Sequence, residues 1–466
     1  MAFNASSPPP RETESSPQET DEQCGGLARV GPVQRRPDAV QHRPEGVEDD
    51  LGLTLIRRSE GPPPRNPRIA LVLAGGAITG GAFKLGGLQA LDECLVGRGV
   101  ADLDTYVGLS AGSFLAVALA GGVRPAEMIA ALDGSSDRLD VLRPFDFYRP
   151  NAREALERTW SYAADLLGFV PDLLAELWRV LPELPSGLRH AAAELRESPS
   201  WPRLESLLDQ LRQQTSLPAL PPLARLIPSG VFDNAPLARW LAAQLAHLGL
   251  PDDFAGLERV TGRKLYISAT ELDTAEGVIF GPRNDRGLTI SQAVQASSAL
   301  PGFMRPARFN GIDYIDGGVR RTADLEVAVA DGADLVICYN PFRPFVNDPQ
   351  RGRPLADRGL PAVLNQTFRT VLHARLDLGM SAFVRDASFR GDIVLIEARE
   401  TDAQFFDIGP LTFWKREAAV QHGLHSVRQT LADEAERLAP VFERYGLEFR
   451  TPSTRRPQPQ LRVVSA

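Results

Sequence analysis

A serine held between two glycines, Gly108-Leu109-Ser110-Ala111-Gly112, is the first place in this sequence where residue types and spacing point to covalent chemistry. A serine hydroxyl is well presented as a nucleophile on a tight strand-to-helix turn, and glycines at Gly108 and Gly112 let the backbone make such a turn. The flanks agree. DTYVGLS reads as an apolar strand, and AGSFLAVALAGG reads as a helix opening directly after the serine. Free N–H groups at that helix start, and the positive end of its dipole, would face the reaction centre. In the plainer alternative Ser110 only caps the helix.

The second element is Gly75-Gly76-Ala77-Ile78-Thr79-Gly80-Gly81. Its small residues let backbone amides approach an anion, either a phosphate or the oxyanion of a tetrahedral intermediate. Ala82-Phe83 follows where a phosphate-binding loop needs Lys-Ser/Thr, and the dinucleotide fingerprint also fails. The oxyanion reading needs only the amides.

A serine nucleophile needs a base. The six histidines are His42, His190, His247, His373, His422 and His425. His422 and His425 fall in REAAVQHGLHSVRQTL, which reads as one helix, whereas an ordinary hydrolase triad wants a late histidine on a loop. The other candidate is a carboxylate. FNGIDYIDGGVRR puts Asp316 at the end of a short strand, with Gly317 and Gly318 leaving room beside it. Asp-Gly-Gly is also ordinary turn chemistry, so a histidine triad stays open here. Asp313 is the weaker carboxylate.

The elements that must position these residues have an α/β pattern. RIALVLAGG is an apolar run suited to a strand covered on both faces, and AFKLGGLQALDECLVGRG has helical spacing. Strand, glycine turn and helix then recur at DTYVGLSAGSFLAVALAGG, which implies a mainly parallel sheet. RKLYISATEL, VIFGP, DYIDGG, ADLVICYNP and DIVLIEARE are further strands, and SQAVQASSAL is a helix. Residues 1–66, rich in Pro, Glu, Ser, Gln and Arg, are expected to be disordered. A main domain is expected at 67–345, with a helical insertion or cap at about 125–225. Strand and helices at 346–455 are expected to pack on it, and 456–466 forms a flexible tail. Within the insertion, Leu166, Phe169, Leu173, Leu177 and Trp178 make an apolar stripe that suits packing on the main domain better than a lipid surface.

Composition narrows the function classes. The chain has 466 residues, 43% hydrophobic and 24% charged, with a formal net charge of −8. That balance argues against a general nucleic-acid binder. Cys24, Cys94 and Cys338 make no metal-ligand spacing and no disulfide framework, which fits a reducing compartment. No metal or cofactor is called for. The N-terminus lacks the apolar core of a signal peptide, and no run approaches ~18 apolar residues. The expectation is a cytoplasmic protein with peripheral contact at a membrane surface.

Taken together, four motifs in order resemble the patatin-like phospholipase family. They are the glycine-rich stretch leading into GAFKLGGLQAL, GLSAG with Ser110, AVQASSALPGFMRP, and IDGG with Asp316. The resemblance implies a three-layer α/β/α fold and a Ser-Asp dyad that works without histidine. Ser110 would attack an acyl carbonyl, Asp316 would accept its proton, and amides of Gly75, Gly76, Ala77 and Ile78 would hold the oxyanion. Gly317 and Gly318 would support the base. Ala77, Ile78 and Thr79 stand where the family commonly has one variable and one basic residue. The implied activity is hydrolysis of acyl esters of phospholipids or other lipids. The rival readings are a soluble esterase or acyltransferase, and a catalytically weak module that binds lipid or protein.

Overall fold

Short apolar runs stopped by glycine, proline or a charged residue make the strands of this protein, and helices cover both faces. The structure, a computed structural model, describes residues 47–50, 52–164, 223–348, 352–386 and 388–452. In chain order the strands are β1 (Val47–Asp50), β2 (Leu53–Arg57), β3 (Ile69–Leu73), β4 (Leu95–Val96), β5 (Thr105–Leu109), β6 (Arg149–Pro150), β7 (Gly230–Asp233) and β8 (Lys264–Glu271). Then come β9 (Gly277–Phe280), β10 (Gly302–Met304), β11 (Ala307–Phe309), β12 (Ile312–Asp316), β13 (Leu335–Asn340), β14 (Asp392–Glu397) and β15 (Glu448–Phe449). Ten of them form one sheet in the order β1-β2-β14-β13-β3-β5-β8-β12-β11, with β9 also paired to β8.

The expected parallel arrangement holds at the centre, where β14, β13, β3, β5 and β8 run the same way. The edges are antiparallel, so the sheet as a whole is mixed. Side chains of β3 show why its run is apolar throughout. Ile69, Leu71 and Leu73 join one buried cluster, while Ala70 and Val72 join another. Alternation along a strand sends neighbours to opposite faces, and both faces here are covered.

The described part of the N-terminal region departs from the expected disorder. Leu53–Arg57 pairs antiparallel with β14, Ile56 opposite Ile393, and Leu53, Leu55 and Ile56 are buried. Three apolar residues of Leu53–Arg57, set in a polar region, are enough to complete the edge of β14, and average composition hides them. Residues 1–46 lie outside the described residues. The segment beyond 345 also does more than pack on the domain, since β14 lies inside the sheet between β13 and β2. In the expected insertion, helices form at Pro125–Asp133, Pro144–Phe147 and 152–164. The apolar stripe from Leu166 to Trp178, and the tail 456–466, fall outside the described residues.

The helix Ala77–Cys94 begins five residues before the expected start at Ala82, so Thr79, Gly80 and Gly81 are helical. It lies along the helix Arg416–Asp433 with backbones almost touching. A methyl on Gly86 would come within 1.9 Å of the Val420 carbonyl oxygen, and one on Gly423 within 2.0 Å of that of Phe83. Overpacking of this kind destabilises by about 1–3 kcal/mol, so Gly86→Ala should melt several degrees below wild type in a calorimetric scan. An unchanged melting temperature would mean the helices are not in contact there.

Candidate active site

Parallel neighbours in a sheet release their following loops on the same edge, and here that edge gathers the chemistry. In the register of β3 with β5, Leu73 lies opposite Gly108, so Gly75 and Ser110 emerge side by side. A methyl built on Gly75 would lie 3.6 Å from Cβ of Ser110. Ser110 itself adopts φ 53° and ψ −129° between β5 and the helix Ala111–Ala120. A non-glycine residue at positive φ is strained by about 1–3 kcal/mol and needs surroundings that hold it there. Three contacts do so. The Ser110 amide donates to the Ser297 hydroxyl at 2.8 Å, and the Ser110 carbonyl accepts from the Ser113 hydroxyl at 2.6 Å and from its amide at 2.9 Å.

The glycines of the pentapeptide are fixed by close approach. A methyl at Gly112 would stand 2.2 Å from the Leu73 carbonyl oxygen, and one at Gly108 would stand 2.4 Å from Cα of Ser113. The helix start is thereby pressed against the end of β3.

Asp316 reaches the same spot from the opposite direction. β5 pairs with Lys264–Ser268 of β8, and the antiparallel β12 pairs with Ala269–Glu271. Leu109 therefore lies opposite Ser268 and Asp316 opposite Ala269, so the C-terminal ends of β5 and β12 meet at adjacent residues of β8. The Asp316 carboxylate is buried, and the Ser110 hydroxyl lies close enough to act on its titration. The carboxylate accepts from the Gly318 amide at 2.8 Å. Burial raises its pKa from 3.8 to about 6, against the opposing pull of the Ser110 hydroxyl, the Gly318 amide and the charge of Lys84. Nη1 of Arg375 donates to the carbonyls of Gly318 at 3.0 Å and Val319 at 3.1 Å, steadying the turn after the aspartate.

Around the glycine-rich stretch, Ala77 and Ile78 line a solvent-open apolar cleft that also contains Ser110. Its other walls include Leu85, Phe114, Phe147 and Phe413. The Thr79 amide is taken by the Pro410 carbonyl at 3.1 Å. Beneath the stretch sits Lys84, 0% exposed, whose ammonium donates to the Ala74 carbonyl and, at 3.3 Å, to that of Gly75.

Of the residues singled out in the sequence, Ser110, Asp316, Gly75, Ala77, Ile78, Gly108, Gly112, Gly317 and Gly318 are brought together, and Gly76 follows in the same turn. Asp313 is drawn off by Arg308 at 2.7 Å. His422 bonds Asp402 at 2.7 Å on the helix expected for it, and His373 lies in a buried network with Glu397 and Asp377. Sequence reasoning passed over Lys84, Ser297 and Arg375. Lys84 had one usable signal, a charge inside an otherwise apolar helix face. Among the described residues, no group of three His, Cys, Asp or Glu is placed to hold a metal. No single described helix is long and apolar enough to cross a membrane.

Residues 71–329 match the family described as patatin-like phospholipase. Solved structures that match the chain include VipD from Legionella pneumophila, at 18% identity and TM-score 0.35, covering 86% of this chain and 72% of that one. ExoU from the type III secretion system of Pseudomonas aeruginosa, solved with SpcU, is 19% identical with TM-score 0.27, covering 74% of this chain and 56% of that one. Human GIVD cytosolic phospholipase A2 is 10% identical with TM-score 0.34, covering 81% and 63%. No curated protein matches the chain.

The buried carboxylate has a consequence for stability. Its folded pKa of about 6 lies above the ordinary value of 3.8, so the folded state holds this proton more tightly. Stability is then fullest below pH 4 and falls as pH rises through 6, by on the order of 2–3 kcal/mol. Asp316→Asn should therefore melt higher than wild type at pH 8, with the gain shrinking toward pH 4. A variant less stable than wild type at pH 8 would contradict the assignment of a destabilised carboxylate.

Proposed function

Because the chain belongs to the patatin-like phospholipase family, we propose that it hydrolyses acyl esters of phospholipids with Ser110 as nucleophile and Asp316 as base. The observation that carries this reading is the register that ends β5 and β12 on neighbouring residues of β8, setting Ser110, held in a strained turn, beside a carboxylate buried away from water. In the first half-reaction Oγ of Ser110 bonds to the ester carbonyl carbon as its proton passes to Asp316. The carbonyl π electrons move to oxygen, giving an oxyanion that the amides around Gly75–Ile78 stabilise. Collapse breaks the ester C–O bond, and the departing alcohol oxygen takes the proton from Asp316. Water then attacks the acyl-serine, giving its proton to Asp316. Release of the fatty acid returns that proton to Oγ.

An ordinary carboxylate is a weak base toward an alcohol. Raising its pKa to about 6 brings it nearer to working pH and improves proton transfer without leaving it protonated at neutrality. The apolar cavity beside Ser110 suits a hydrocarbon chain, with the ester at its polar end. The substrate would be met at a lipid surface, by peripheral contact from the cytoplasm. The free thiols of Cys94 and Cys338 accord with that compartment.

Ser110→Ala and Asp316→Asn should each lower hydrolysis of micellar phospholipid by several orders of magnitude while the protein stays folded. Full activity in either variant would refute the dyad, and an inert wild type would favour a binding module. Because Asp316 must be ionised to act, kcat/KM should climb as pH rises through about 6. A profile flat from pH 5 to 8 would exclude this carboxylate as the base.

A further inference from the structure

Lys84 is an amine with no exposure to water, and nothing in the hydrolytic cycle described above uses it. It lies on the helix Ala77–Cys94, one residue after Phe83, on a helix whose middle is buried on all sides. Its ammonium donates to two successive backbone carbonyls, those of Ala74 and Gly75. Ala74 is held from the other side as well, since its amide donates to the Tyr339 carbonyl at 3.1 Å. Of the two groups that act on Lys84, burial keeps the thiol of Cys338 neutral, and the Asp316 carboxylate is the one that ionises in the working range. No carboxylate forms an ion pair with its ammonium among the described residues.

Peptide geometry turns these contacts into a constraint on the site. In a planar trans peptide the N–H points opposite to the C=O. Two carbonyls turned toward Lys84 therefore send the N–H groups of Gly75 and Gly76 the other way. Gly75 abuts Ser110. We propose that Lys84 is the positioning residue of the oxyanion loop: by holding the carbonyls of Ala74 and Gly75 it aims the amides of Gly75 and Gly76 at the acyl oxygen, and its charge steadies the ionised Asp316. The inference rests on the Ser110–Asp316 reading and adds a residue to it. It also gives the site a basic group, placed beneath the loop instead of within it, so that the charge acts through the backbone and does not touch substrate. Burial lowers the Lys84 pKa to about 7, with Asp316 among the charges resisting that fall, which agrees with a mutual dependence of the two groups.

The test compares Lys84→Met, Lys84→Gln and Asp316→Asn with wild type, each checked by its melting curve, on micellar phospholipid and on a short soluble ester across pH 5 to 9. Lys84→Met should lower kcat roughly tenfold to a hundredfold, less than the ~10²–10³ effect of deleting an oxyanion donor, with KM within about twofold. Loss of a positive neighbour favours the protonated carboxyl, so the acid limb of kcat/KM should move to higher pH. Lys84→Gln keeps a donor without a charge. It should recover part of kcat and retain the displaced limb, and it decides the matter should Lys84→Met fail to fold. A wild-type kcat and acid limb in these variants overturns the inference. So does an activity loss that only follows the loss of folded protein with the limb unmoved. Asp316→Asn separates the two ideas: if it stays active the dyad itself is wrong, whereas an inert Asp316→Asn beside a normal Lys84→Met removes Lys84 alone.

Discussion

A carboxylate kept out of water beside a serine in a strained turn is the constraint around which the rest of this molecule is arranged. Burying Asp316 costs free energy, as its raised pKa records. Holding Ser110 at positive φ costs more. A protein tolerates both only where a large, well-packed sheet overdetermines the positions, and here the two residues sit where three strands converge. β5 delivers the serine, β12 delivers the aspartate, and β8 pairs with both at neighbouring residues. Destabilised groups grouped on a rigid scaffold are what a reactive site requires.

The parallel core and the antiparallel edge have separate duties in this arrangement. Parallel pairing of β3 with β5 sets the glycine-rich turn beside Ser110, so the two are registered by the same ladder. An antiparallel strand is needed to bring Asp316 back toward that edge from the other end of β8. The helices then fix what the sheet leaves free. Ser297, from the helix Ile290–Ser297, fastens the Ser110 amide. Arg375, from the helix Leu360–Arg385, grips the turn after Asp316.

Much of this was legible in the residues. Ser110 was readable from its setting between an apolar strand and a helix, whereas Asp-Gly-Gly is ordinary turn chemistry, and Asp316 stood out through the order of motifs that carries the family resemblance. The central strands were readable because burial on both faces leaves an unbroken apolar run, as in Ile69–Leu73. Less visible was anything decided by distant partners. β2 looked like part of a polar tail, since only its pairing with β14, over 300 residues later, makes a strand of it. The helix start at Ala77 was missed because glycines usually end helices, and here Gly80 and Gly81 permit close packing within one. Lys84 showed in the sequence only as a charge on an apolar helix face, which does not reveal its role. Its importance comes from the two carbonyls it faces, which only the folded chain brings to it.

The account stands or falls on whether Ser110 is activated by Asp316. The most direct measurement is treatment with an alkyl fluorophosphonate followed by intact mass and peptide mapping. Wild type should gain one phosphonyl adduct on Ser110, while folded Asp316→Asn should gain it orders of magnitude more slowly. An adduct on another residue, or equal labelling rates in the two proteins, would contradict it.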